Sequence, residues 1–143
     1  MCSTLILMTK YKKGANAERE LIHLLFDAGY SVVRVAGSGA TSLPCPDCLA
    51  LSKTRKFAFE CKAWAGKYLH LSKAQMEELM EWSDNAGLEL FVGWKINRLG
   101  WRFIEPKDFR KNEKNYTITL KDALHKGIVF DVLTGEQQQL KTK

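Results

Sequence analysis

Asp47, Glu60 and Lys62 are the residues of this chain whose types and spacing could do chemistry together. Asp47 to Leu51 and Lys56 to Trp64 read as two strands around the polar turn Ser52-Lys53-Thr54-Arg55. A four-residue loop sets Leu51 opposite Lys56, Leu49 opposite Ala58 and Asp47 opposite Glu60. Side chains alternate along a strand, so Glu60 and Lys62 share a face, with Cα atoms about 6.5 to 7 Å apart. Phe57, Phe59, Cys61 and Ala63 take the other face and belong to a core. Directly opposed acids hold their Cβ atoms about 4.5 to 5.5 Å apart and repel. A divalent cation between them reverses the sign of that interaction. Both donors are hard oxygens, which suits Mg²⁺ or Mn²⁺. Lys62 would face an attacking water or a phosphate. The competing reading is a loop-end aspartate beside a solvated strand edge, and a register slip of one residue would favour it.

The first helix must place a third acid. Residues from about Ala15 to Ala28 carry Ala17, Leu21, Leu24, Leu25 and Ala28 at helical spacing, and Gly29 is a stop. Glu18 lies inside that apolar arc, between Ile22 and Leu25, whereas Arg19, Glu20, His23 and Asp27 lie outside it. A carboxylate aimed at a core needs a partner, either a metal or a basic group. A first-turn glutamate favoured by the helix dipole and bent outward is the alternative. Arg19 and Arg34 are candidate phosphate contacts, with surface ion pairing as the other reading.

The remaining elements follow from pattern. Tyr30 to Ala36 is β-branched and strand-like, and Gly37 to Ser42 is a small-residue loop. Ser72 with Gln75 makes a capping box, opening a helix that runs to Ala86 and ends at Gly87. Leu88 to Trp94 and Trp101 to Ile104 form a strand pair around Asn97 to Gly100, and Leu120 to Lys126 reads as a short helix. The order α-β-β-β-α-β-β predicts an α/β fold: a single mixed, mainly antiparallel sheet flanked by helices. The predicted division is a flexible extension over 1–12, one domain over 13–134 and a polar tail over 135–143.

The chain has 143 residues, about one domain, with 45% hydrophobic and 27% charged residues, which excludes a disordered or low-complexity chain. Lys and Arg number 22 against 16 Asp and Glu, and the net charge of +6 favours a polyanionic partner. Thr4 to Met8 is too short an apolar stretch for a secretory signal, so an intracellular, cytoplasmic setting is expected. Cys45-Pro46-Asp47-Cys48 has the spacing of half a zinc site, but the sequence offers no second closely spaced ligand pair. Cys61 reads as a small core residue. Met76, Leu79, Met80, Trp82, Phe91, Trp94, Trp101 and Phe103 divide between a core and an apolar dimer patch. Gln137-Gln138-Gln139-Leu140 resembles a sliding-clamp-binding segment without its aromatic pair, and a disordered end is the alternative.

Lys13-Gly14-Ala15-Asn16-Ala17-Glu18-Arg19-Glu20-Leu21 and Val32-Val33-Arg34-Val35-Ala36-Gly37-Ser38 resemble the opening of archaeal Holliday-junction resolvases. Pro46-Asp47 followed by Phe59-Glu60-Cys61-Lys62 is similar to the split PD…(D/E)xK signature of the wider nuclease superfamily, and Gly100-Trp101-Arg102-Phe103-Ile104 resembles a further family segment. The resemblance implies a restriction-endonuclease-like nuclease core and a homodimer. Its activity would be Mg²⁺-dependent cutting of four-way DNA junctions on two opposing strands, as in DNA recombination and repair. It implies catalytic roles for Glu18, Asp47, Glu60 and Lys62. Asp47, Glu60, Glu18 and the Cys61 backbone carbonyl would hold one or two Mg²⁺ ions, with Mn²⁺ able to substitute. Lys13, Arg19, Arg34, Ser38 and Lys95 would face DNA in a nucleoid-associated enzyme. Two other readings compete: a PD-(D/E)xK nuclease acting on other DNA, of restriction or repair type, and a noncatalytic basic DNA-binding module.

Overall fold

The structure, a computed structural model, describes residues 2–35 and 43–135, with side chains from Lys13 onward. Ser38 and the Gln137–Leu140 segment lie outside the described residues.

Helix α1 (Cys2–Asp27) runs straight through Gly14, where the periodicity had suggested a start near Ala15. An isolated glycine costs a helix about 1 kcal/mol relative to alanine, and no proline interrupts the residues before it. Ala17, Leu21 and Leu25 are buried on one stripe, and Gly29, at φ 97°, turns the chain into β1 (Ser31–Arg34). Next come β2 (Cys48–Leu51), β3 (Lys56–Ala63) and β4 (Tyr68–Ser72), then α2 (Lys73–Ala86), β5 (Glu89–Ile96) and β6 (Gly100–Ile104). A single 3-10 turn at Pro106–Asp108 precedes β7 (Arg110–Lys111), β8 (Asn115–Thr119), α3 (Leu120–Lys126) and α4 (Phe130–Leu133).

The main sheet has the order β1-β2-β3-β5-β6. It is antiparallel except where β3 lies parallel to β5, so it is the mixed sheet that the pattern predicts. A second sheet, β4-β8-β7, stands beside it, and the single-sheet reading lacked it. Tyr68 to Ser72 alternates exposed and buried residues, but its partner β8 lies beyond α2 and the β5–β6 hairpin, out of reach of any local pattern.

Both faces of the main sheet are covered. On the α1 face, Leu21 and Leu25 pack with Cys48, Phe57, Phe59, Phe91, Trp101 and Phe103. On the other, Met76 and Leu79 of α2 pack with Ala58, Val92, Trp94, Ile104 and Ile118. Phe91, Trp94, Trp101, Phe103, Met76 and Leu79 are therefore core, which leaves Met80 and the half-buried Trp82 as the outward members of the predicted apolar patch. Among the described residues, no helix is long and apolar enough to cross a membrane.

Candidate active site

The β2–β3 hairpin has the register that its turn length dictates: Leu51 pairs with Lys56, Leu49 with Ala58 and Cys48 with Phe59. The Ser52 hydroxyl accepts from the amide of Arg55 at 2.9 Å and closes the turn. One step beyond the last pair, the Asp47 amide donates to the Phe59 carbonyl at 2.9 Å. That bond falls outside the β2–β3 register, so Asp47 sits at a bend just before β2, and its carboxylate meets that of Glu60. Its Oδ2 accepts from the Cys61 amide at 2.8 Å, which fixes the carboxylate against β3. Along a strand, a residue's N–H and C=O point to the same edge. The Cys61 carbonyl therefore points to the edge where Asp47 sits, beyond the end of β2.

Glu60 is only 6% exposed, because its face of β3 is covered by α2. Burial first, and then a hydrogen bond and repulsion from Asp47, raise its carboxyl from 4.5 to about 9. Glu60 accordingly holds its proton at neutral pH. Lys62, on the same face of β3, and the Gln75 carboxamide, whose Nε2 donates to Glu60 Oε2 at 3.1 Å, both pull in the opposite direction.

The sequence reading missed the role of Gln75. Ser72 is at once the last residue of β4 and the N-cap of α2, its Oγ accepting from the Gln75 amide at 3.1 Å. That junction lays the first turn of α2 over β3. The Gln75 side chain reaches Glu60, where the capping-box reading assigned it to the helix terminus. Together with Leu43, Pro44, Cys45, Glu78 and Leu79, these two residues line a cleft of about 200 Å³.

The cysteine motif divides between the faces of the sheet. Cys45 lines the Glu60 cleft, whereas Cys48 is buried on the α1 side. There Cys48 shares a hydrogen bond with Cys61, which, followed by burial, pushes the Cys61 thiol well above its ordinary value.

Glu18 has a cationic partner of its own. It lies on α1, its side chain 16% exposed, and accepts from Arg34 Nε at 2.9 Å. Among the described residues, no group of three or more His, Cys, Asp or Glu side chains converges closely enough to hold a metal ion. The donor set at the hairpin is therefore two carboxylates and a carbonyl edge. A small hard cation that keeps much of its water needs little more from protein, so the residues present suit Mg²⁺ or Mn²⁺.

The model of the family described as archaeal Holliday junction resolvase (Hjc) matches residues 9–142. The chain belongs to that family. Among curated relatives of this resolvase, the crossover junction endodeoxyribonuclease Hjc of Archaeoglobus fulgidus is 37% identical over 106 residues, covering 74% of this chain and 78% of its own. The Methanocaldococcus jannaschii protein of the same name is 34% identical over 134 residues, covering 92% and 94%. The solved structure of Archaeoglobus fulgidus Hjc, described as a Holliday junction resolvase from an archaeal hyperthermophile, superposes with a TM-score of 0.77 at 32% identity, covering 86% of this chain and 96% of that one.

The basic residues of this resolvase lie in two settings. Lys13 and Arg19 are exposed on α1. Lys95 pairs with Glu20 and stands 5.8 Å from the Trp101 ring centroid. Trp101 Nε1 also donates to Glu20 at 3.1 Å. The Lys95 hydrogen bond is the main reason that the Glu20 carboxyl is held below its ordinary value. Lys13, Lys95 and Arg98 line one 400 Å³ cleft with Glu20.

Proposed function

We infer that this chain is a structure-selective DNA endonuclease that resolves four-way junctions by hydrolysing phosphodiesters on opposing strands. The observation that carries this reading is the contact of the Asp47 and Glu60 carboxylates beside Lys62, in a chain of the resolvase family. Residues 13–134 would form the nuclease domain, acting as a homodimer on a two-fold substrate, one active site for each of two symmetric cuts.

Asp47 and Glu60 would hold one or two Mg²⁺ ions, or Mn²⁺ in their place, with the Cys61 carbonyl as a third oxygen and Glu18 contributing directly or through water. Such an ion, when bound, polarises the phosphate, acidifies a water and stabilises the leaving 3′ oxygen. The Cys61 amide and the Gln75 carboxamide aim the two carboxylates, so their geometry is set before substrate arrives. Because Glu60 is lifted to about 9, it must release its proton to serve as an ion ligand, which makes ion binding tighten with rising pH. Lys62 would orient the water or neutralise the charge that builds on the phosphorane oxygens as the fifth bond forms. The products would carry 5′-phosphate and 3′-hydroxyl ends.

Lys13, Arg19, Arg34 and Lys95, with Ser38, would contact DNA through phosphates, so junction affinity should fall steeply with salt. Backbone geometry would then govern choice of substrate, with little base readout. An intracellular, nucleoid-associated enzyme follows from that substrate. Labelled four-way junction and linear duplex, each incubated with Mg²⁺ and with EDTA, test the reading. Paired nicks confined to the junction and dependent on Mg²⁺ are expected. Equal cutting of linear duplex would point to a nuclease of restriction or repair type, and binding without cleavage to a noncatalytic module.

A further inference from the structure

We propose that Trp64, Tyr68 and His70 form a stacking shelf for a nucleobase next to the cut phosphodiester, a subsite that rests on the nuclease reading above. Glu60, Lys62 and Trp64 follow one another on one side of β3 and its continuation, so the shelf begins one alternation beyond the lysine of the active site. Lys62, Trp64, Tyr68 and His70 line a common cleft of about 290 Å³.

The rings are exposed and yet fixed. Trp64 is 44% and Tyr68 53% exposed, whereas Phe57, Phe59, Phe91, Trp94, Trp101 and Phe103 are buried. The Trp64 carbonyl accepts from the buried Trp94 indole at 3.0 Å, which ties the segment after β3 to the core. The Trp64 indole itself lies against the backbone of Gly66, where an added Cβ would come within 2.2 Å of Nε1. A glycine there is what lets the ring lie in place. On β4, Tyr68 and His70 point outward while Leu69 and Leu71 are buried. Their rings stack with centroids 6.3 Å apart at 21°, and His70 Nδ1 lies 2.9 Å from Thr117 Oγ1 on β8.

The charge around these rings selects the occupant. Lys62 borders the shelf on one side. On the other, Tyr68 also borders a 460 Å³ cleft with Lys67 and Lys121. Aromatic faces between lysines match a nucleotide strand, whose bases stack while its phosphates meet ammonium groups. Stacking accepts any base, as a junction enzyme without base readout requires, and bases at a branch point leave the duplex stack at lower cost than those within it.

The test is a coupling experiment on the full-length chain in EDTA, with binding measured on a four-way junction. The same junction is also made abasic, in turn, at the nucleotide on either side of the phosphodiester that the wild type cuts in Mg²⁺. Trp64→Ala and Tyr68→Ala are each expected to weaken binding to the intact junction about tenfold, within the range for loss of a stacked base. Trp64→Phe should keep most of the affinity, and Gly66→Ala, which displaces the indole without removing it, should lose as much as Trp64→Ala. On one of the abasic junctions, wild type and Trp64→Ala should bind alike.

Equal loss on intact and both abasic junctions, or no loss on the intact one, would overturn the shelf while leaving the nuclease reading intact. Reduced self-association of Trp64→Ala in sedimentation would overturn it in favour of a subunit contact. If Trp64→Ala does not fold, Tyr68→Ala, at a ring more than half exposed, decides alone. A wild type that neither binds nor cuts the junction would remove both readings at once.

Discussion

The two faces of the main sheet treat their acids in opposite ways. On the α1 face, Glu18 meets Arg34 and Glu20 meets Lys95, so each carboxylate has its own cation. On the α2 face, Glu60 meets Asp47 and a neutral carboxamide, with Lys62 near enough to be felt but not paired with it. The consequences for the proton differ accordingly. The Glu20 carboxyl is held below its ordinary value, whereas the Glu60 carboxyl is lifted to about 9. An acid that already has a cation needs no further ion to balance its charge. An acid buried against another acid lacks one positive charge, which is what a cation would supply in the function proposed above.

The contrast breaks first if the deficient pair is not catalytic. Asp47→Asn and Glu60→Gln should each lower junction cleavage by on the order of 10³-fold or more while leaving junction binding within a few-fold of the parent. Gel shift and cleavage on the same labelled junction check both halves. Cleavage by either variant at the parental rate would return Asp47 and Glu60 to ordinary sheet residues.

A smaller effect is expected one shell further out. Gln75→Ala removes the donor that steadies Glu60 Oε2, and loss of an outer partner of this kind costs about tenfold in ion affinity or activity. Titrating Mn²⁺ calorimetrically into Gln75→Ala and the wild type separates that effect from a loss of helix. Ser72 caps α2 through the Gln75 backbone amide, which the substitution leaves in place. Unchanged Mn²⁺ affinity would show that Glu60 needs no positioning from α2.

The metal-free protein offers a test through stability alone. The folded Glu60 carboxyl titrates near 9 and the unfolded one near 4.5, so between those values the native state holds a proton that the unfolded chain has lost. The contribution of this group is therefore fully present below about pH 4.5 and disappears as pH rises through 9. Glu60→Gln removes that titration and should be the more stable protein in EDTA at pH 8, by on the order of 5 kcal/mol. Thermal melts from pH 5 to pH 9 should show the difference widening with pH. A constant difference would mean that Glu60 is ionised in the folded state.

How much of this could be read from the chain depended on sequence distance. The hairpin register was legible because a polar four-residue turn between apolar strands leaves few alternatives, and Ser52 closes it as such turns require. The second helix was legible through Ser72 and Gly87, its two caps. The pairing of β4 with β8 was not, because the strands meet only after α2 and a hairpin have folded between them. Glu18 and Arg34 were each marked as functional candidates, but their mutual contact joins a helix to a strand across a turn, and no periodicity reports it. Gln75 was misread for another reason. A capping motif explains a glutamine completely at the local level and hides what its side chain reaches in three dimensions.

The smallest expected effect concerns the paired face. Arg34 spends part of its charge on Glu18 and is still 37% exposed, so it can meet a phosphate without leaving its partner. Arg34→Ala should weaken junction binding a few-fold and reduce the slope of log affinity against log salt by about 1. The substitution also strips Glu18 of its cation, and an uncompensated carboxylate near DNA would itself weaken binding. The double variant Glu18→Gln/Arg34→Ala separates the two causes. If Arg34 contacts phosphate, the slope stays reduced in the double variant, because no cation has returned to the surface. If the loss came only from the orphaned acid, neutralising Glu18 restores both affinity and slope, and Arg34 is then a partner for Glu18 with no contact to DNA.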